Sequence, residues 1–196
     1  MTPLLTAPRA DGLILGEGVI LLDFDAAKPE PAQLARQVLA RLASGEGVLA
    51  PVANTTALLR PLIRAAAGDA CRPEAPGGQL CGGYQAELTG ETELLTPADC
   101  AALLPGCRVR RGSGRTEICP QEGGVLAPLP PLTWVGRQPE GLWLLTLRHA
   151  VQTGGLTLRL QARDAARIPF RFLAAGEDAF TLLWAETADS GEEAAG

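Results

Sequence analysis

Alternation with a period of two, repeated through the last third of the chain, constrains the fold more than any other feature. Leu156, Leu158 and Leu160 alternate with Thr157, Arg159 and Gln161, the repeat of a strand with one face on a core and the other on water. Ile168, Phe170 and Phe172 then face one way with Arg167 and Arg171 the other, and Phe180, Leu182 and Trp184 oppose Thr181 and Leu183. Ahead of them, residues 142–151 form a run of high β propensity closed by Gln152-Thr-Gly-Gly155, which predicts a hairpin with residues 156–161. Such a chain must build an antiparallel sheet, and nothing in this region resembles a catalytic site.

The same reading extends upstream. Residues 12–24 predict a strand pair or one bent strand with glycine breaks, after a short Pro-containing arm over residues 1–11. Residues 30–42 predict a helix with Leu34, Val38, Leu39 and Leu42 on one face, Pro31 in its first turn and Gly45 beyond its end. Residues 56–67 are ambiguous: the apolar spacing suits a helix, Pro61 would interrupt it, and a strand from Leu62 onward is an alternative. Residues 68–83, with Pro73, Pro76, Gly77, Gly78, Gly82 and Gly83, predict a long exposed loop. The cleanest alternation follows, with Tyr84, Ala86, Leu88, Thr92 and Leu94 on one face and Gln85, Glu87, Thr89, Glu91 and Glu93 on the other. Residues 96–104 predict a short helix capped by Thr96, with Pro97 at its first position. Residues 108–119 predict a hairpin around Gly112-Ser-Gly114, residues 121–131 a Pro/Gly-rich crossing segment, and residues 186–196 a disordered acidic tail.

With 196 residues, 46% of them hydrophobic, the chain can bury a substantial core in one domain. No apolar stretch reaches the ~20 residues of a spanning helix and no signal-peptide pattern opens the sequence, so a cytosolic site of synthesis without a membrane is expected. Five cysteines at irregular spacing argue for free thiols rather than metal knuckles, a Cys71–Cys81 bridge being the main exception. A net charge of −5 argues against a protein that grips nucleic-acid phosphates, though not against one past which nucleic acid slides.

Candidate chemistry is sparse. His149, the only histidine, falls in a predicted strand and reads as a packed or interface residue. No phosphate loop or complete dinucleotide loop is present, no cofactor or metal is expected, and an enzyme is disfavoured. The basic run Arg108-Val-Arg-Arg-Gly-Ser-Gly-Arg115 reads as a solvated hairpin or a protein interface. Glu87, Glu91 and Glu93 stand apart: they read either as an ordinary solvated strand face or, with no lysine among them, as an uncompensated negative stripe that would repel polyanions.

Residues 151–173, followed by Phe180-Thr-Leu-Leu-Trp184, resemble the C-terminal portion of the tail tube (major tail) proteins of long-tailed bacteriophages. Residues 87–104 are similar to that family's strand followed by a short helix, and element order over residues 84–184 carries the likeness. The predicted helix within residues 26–45 and the cysteine-bearing loop depart from the pattern, which leaves room for a neighbouring ring component such as a tail terminator or distal tail protein.

The resemblance implies a mainly β fold, an antiparallel β-sandwich or small barrel flanked by one or two short helices, as a single domain over residues 1–185. It further implies homohexameric rings stacked into a tube, assembled in the host cytoplasm around a tape-measure protein and lodged in the virion tail. Gln85, Glu87, Thr89, Glu91 and Glu93 would line a lumen that conducts genomic DNA without binding it. The loop carrying Asp69, Cys71, Arg72, Glu74, Gln79 and Cys81 would reach the next ring. A monomeric β-sandwich that binds carbohydrate is the alternative from another class.

Overall fold

The computed structural model describes residues 13–65, 79–92, 103–104, 106–120, 128–138, 141–155 and 167–186. In chain order the elements are β1 (Leu13–Leu22), α1 (Pro31–Ser44), β2 (Val48–Ala65), β3 (Gln79–Thr92), β4 (Cys107–Gly112), β5 (Arg115–Pro120), β6 (Leu132–Gln138), β7 (Gly141–Leu147), β8 (Val151–Gln152), β9 (Ile168–Gly176) and β10 (Phe180–Glu186). The fold is mainly β with one helix, as the alternation requires. Eight strands form one antiparallel sheet in the order β10-β7-β6-β1-β2-β3-β9-β8, and β4 and β5 form a separate hairpin.

β10 stands at one end of that order and β9 next to the other end, yet only residues 177–179 join them. The sheet must therefore curl until its two ends approach each other, giving a barrel-like sandwich. Two contacts mark the approach. The rings of Tyr84 on β3 and Phe180 on β10 meet edge to face at 5.4 Å, and the Arg148 N–H donates to the Ala179 carbonyl at 3.0 Å.

Alternation along each strand then yields two cores. Inside the curl, Ile20, Leu49, Ala86, Leu88, Trp134, Leu145, Leu147, Phe170 and Phe172 pack together. Trp134 and Phe172 are almost fully buried, each contributing about 1.5–3 kcal/mol of transfer free energy. Gly18 permits the indole to lie across β1, since a Cβ there would sit 2.6 Å from both Trp134 Nε1 and the Val135 carbonyl. Residues of the opposite parity, Leu21, Val135, Leu142 and Leu144, point outward and are covered by Leu34 and Val38 of α1. The helix begins with Pro31 and ends at Gly45 in the left-handed region, φ 68°, as residues of these types dictate.

Several expectations are corrected. Leu39 is 56% exposed, because it lies about 100° around the helix from Val38 and only Leu34, Val38 and Leu42 follow the sheet. Residues 56–65 are wholly strand. Pro61 pairs with Tyr84 beside a register shift and past Ala57, the last residue paired with β1, so its missing N–H faces no described neighbour. Gln79, Cys81, Gly82 and Gly83 belong to β3 rather than to a loop. The run 142–151 breaks at residues 148–150, β7 pairs with β6 and β10, and residues 156–161 of the expected hairpin lie outside the described residues. His149 is exposed with φ 54°, a turn residue and not a packed one, in a conformation that histidine tolerates better than most. The predicted helix over residues 96–104 lies outside the described residues apart from Leu103 and Leu104, and Leu103 is buried in the inner core.

One polar cluster ties these parts together. Thr133 and Thr146, opposed on β6 and β7, are buried under the segment leading to α1. The Ala26 N–H donates to Thr146 Oγ1 at 3.3 Å and Thr133 Oγ1 donates to the Phe24 carbonyl at 2.7 Å. Thr133 has spent its one proton, so Thr146 donates across the 2.8 Å contact between the hydroxyls. Beside them Arg148 grips Asp25 with two bonds, Nε to Oδ2 at 2.9 Å and Nη2 to Oδ1 at 3.0 Å, while its Nη1 donates to Thr181 Oγ1 at 2.9 Å and to the Asp178 carbonyl at 3.3 Å. The side chains of this pair are only 17% and 7% exposed. Burial pushes the Asp25 carboxyl up, but the Arg148 hydrogen bonds, the Ala27 N–H and the charges of Arg148 and Lys28 outweigh it and hold the group below the usual carboxylate range.

Arg148→Ala strands the Asp25 charge and is expected to cost about 3–5 kcal/mol, measured by urea unfolding. The pH dependence has a defined sign. A carboxyl whose folded pKa lies below its unfolded value of about 3.9 contributes stability above that value and loses it as pH falls through the folded one. Asp25→Asn should therefore flatten the loss of stability that sets in as pH falls below about 3.9. An unchanged acid limb in that variant would show that Asp25 does not govern it.

Candidate functional site: the polar face of strands β2, β3 and β9

Helix α1 covers the outer face of β10, β7, β6 and β1, whereas no described element covers the outer face of β2, β3 and β9. The parity that sends Ala86 and Leu88 into the core turns Gln85, Glu87, Thr89 and Glu91 onto this face, and all four are half-buried. Their placement follows the sequence expectation. Glu93 lies outside the described residues.

The charge on this face departs from expectation. Antiparallel pairing of β3 with β9 sets Thr89 opposite Arg171 and Glu91 opposite Pro169, which puts the arginines of β9 diagonal to the glutamates, within reach of long side chains. Arg171 binds Glu87 with both ends of its fork, Nε to Oε1 at 2.8 Å and Nη2 to Oε2 at 3.0 Å. That hydrogen bonding, with the neighbouring charge, raises the Arg171 pKa further above its ordinary value. Arg167 Nη1 stands 3.7 Å from Glu91 Oε2. Asn54 Nδ2 donates to the same oxygen at 3.1 Å. The stripe is thus a mosaic of paired charges and not an uncompensated row of carboxylates.

Asn54 reaches Glu91 because β2 carries an extra residue there. The register steps from Ala53 opposite Glu91 to Thr56 opposite Thr89, and Asn54 takes φ 52°, a left-handed conformation that asparagine tolerates. A shallow cleft of about 330 Å³ opens at this bulge, lined by Gly16, Glu17 and residues 53–56. Thr89 Oγ1 donates to the Thr56 carbonyl at 3.5 Å, which joins β2 and β3 across the same face.

The second predicted site divides. Asp69, Cys71, Arg72 and Glu74 lie outside the described residues, as does any Cys71–Cys81 pairing. Gln79 begins β3, and Cys81 is exposed on it opposite Ile63, with its thiol donating to the Gly83 carbonyl at 3.2 Å. Past Tyr84, the last residue of β3 paired with β9, residues 79–83 pair only with 63–65 of β2 among the described residues. The two strands leave the sheet as a ribbon, with Ile63 58% exposed.

Sequence reasoning missed Arg171, Arg167 and Asn54 as members of the polar face. The parity of the two arginines on their own strand was legible; that β9 lies beside β3 was not. No protein-family model and no curated protein matches the chain.

If pairing neutralises this face, Glu87→Gln will release Arg171 without touching the core. The fold should persist. Fluorescence anisotropy with a DNA duplex should show binding by the variant with a log–log salt slope of about −0.9, the value for one phosphate contact, and none by the parent chain. Equal affinity of the two proteins would refute the mosaic's role.

Proposed function

We propose that the chain is a structural protein of a phage-type tail, assembling into hexameric rings that stack into a tube through which genomic DNA leaves the capsid. The observation that carries this reading is the β2–β3 ribbon. A two-stranded ribbon is marginal by itself in water, and this one extends beyond β9 on one side with an apolar side chain exposed. Such a ribbon is stabilised when a neighbouring copy covers it, which fits an arm that reaches the next ring.

The exposed sheet face supports the same reading. In a ring, Gln85, Glu87, Thr89 and Glu91 of each subunit line the lumen, together with Arg171 and Arg167. DNA passes such a wall because each of these arginines already faces a carboxylate, and a grip on phosphate would require breaking that pair in exchange. The sheet's outer strands, β10 and β8, present edges that a closed ring would cover. Tape-measure and other tail proteins are the remaining partners under this reading.

One observation favours a different class. Trp184 is 36% exposed and its ring lies 5.1 Å from that of Trp143, the kind of aromatic surface on which a sugar stacks. Quenching of tryptophan fluorescence by oligosaccharides, with strictly monomeric elution at high concentration, would establish a carbohydrate-binding module instead.

Negative-stain microscopy of the purified chain tests the tail reading directly. Long tubes of uniform diameter are expected, and deletion of residues 68–77 should leave a folded protein that stops at single rings. Single rings from the parent chain would point to a tail terminator or distal tail protein. Monomers at every concentration, with or without a tape-measure protein, would sink the proposal.

A further inference from the structure

The β4–β5 hairpin stands apart from the main sheet, and its sequence carries four arginines against one glutamate in a chain of net charge −5. Its register pairs Arg108 with Cys119, Arg110 with Glu117 and Gly112 with Arg115. Directly opposed residues share a face and alternate residues return to it, so Arg108, Arg110 and Arg115 line one side of the ribbon. Successive positions on that side repeat about every 7 Å along a strand. All three arginines are exposed, and Glu117 meets Arg115 at 2.9 Å in a pair that is 77% and 41% exposed. Among the described residues Arg108 and Arg110 have no ion-pair partner. The opposite side carries half-buried Val109 and Ile118 together with exposed Arg111 and Thr116. Three of the hairpin's four arginines therefore share one exposed side, which also holds Glu117 and Cys119.

We infer that this basic face is the docking site for the acidic segment that follows β10, residues 187–196. That segment holds Asp189, Glu192 and Glu193 and has no lysine or arginine. The chemistries match: guanidinium forks spaced along an extended ribbon pair with the carboxylates of an acidic segment. Asp189 and Glu193 stand three and seven residues beyond Glu186, so the chain can carry them up to about 10 Å and about 24 Å from it. Individually exposed ion pairs are weak, but Arg108 and Arg110 lie on one ribbon beside Arg115, which Glu117 already pairs, and the segment is tethered to the body it binds. Occupancy of the basic face would also keep polyanions off the hairpin. This inference stands whether or not the chain forms a tube.

Hydrogen exchange on the full chain is the test. The variant Asp189→Asn/Glu192→Gln/Glu193→Gln should exchange the β4 and β5 amides about threefold to tenfold faster than the parent chain, with those of β6 and β7 unchanged. Parent chain in ~0.5 M salt should behave like the variant. Reversing the hairpin charges (Arg108→Glu/Arg110→Glu/Arg115→Glu) should give the same loss, and adding Asp189→Arg/Glu192→Arg/Glu193→Arg to that protein should restore protection. Identical hairpin exchange with the segment charged or neutral overturns the inference. So does binding of a DNA duplex that needs the three arginines yet is equally tight with the segment charged and neutral, since the face would then be an open polyanion site.

Discussion

The Arg148 guanidinium is the interaction on which the rest of this fold depends. It sits where β7 ends, and its donors go to Asp25 before α1, to the Asp178 carbonyl in the turn after β9, and to Thr181 on β10. Those are the places where the chain must change direction for an eight-stranded sheet to curl and for one helix to cover half of it. Arginine suits the position because its planar fork serves several acceptors from a fixed geometry and keeps its charge when partly buried. The threonine relay beside it removes a second problem, since the Phe24 carbonyl and the Ala26 N–H would otherwise be buried without partners.

With that corner held, the sheet acquires two unlike outer faces. Behind β10, β7, β6 and β1 the outward parity is apolar and α1 covers it. Behind β2, β3 and β9 the outward parity is polar, and charges pair across strands instead of being covered. The glutamates come from β3 and the arginines from β9, so neutrality of this face is a property of the pairing and not of either strand. A surface of this kind holds its side chains in place while offering little net charge to a passing polyanion, the quality the proposed lumen requires.

The ribbon of β2 and β3 and the hairpin of β4 and β5 have a common feature. Each leaves the main body as two strands, and neither is buried on both sides by described residues. Protein chains expose such elements where a partner covers them. Chemistry distinguishes the two: the first presents an isoleucine and the second a row of arginines, so they are suited to different partners.

What this sequence determined by itself is local and periodic. Alternation placed Leu88, Phe170 and Phe172 on core faces, Pro31 and Gly45 bounded a helix, and Ser113-Gly114 closed a two-residue hairpin, because backbone stereochemistry and side-chain parity act over a few residues. Only the tertiary structure decided which strands are neighbours. That assignment turned a row of glutamates into a set of ion pairs, carried a strand through Pro61, set β7 between β6 and β10, and put His149 in an exposed turn. Each outcome depends on residues that are far apart in the chain, and the free energy that selects the pairing comes from burying two cores at once, a quantity that no local window of sequence contains.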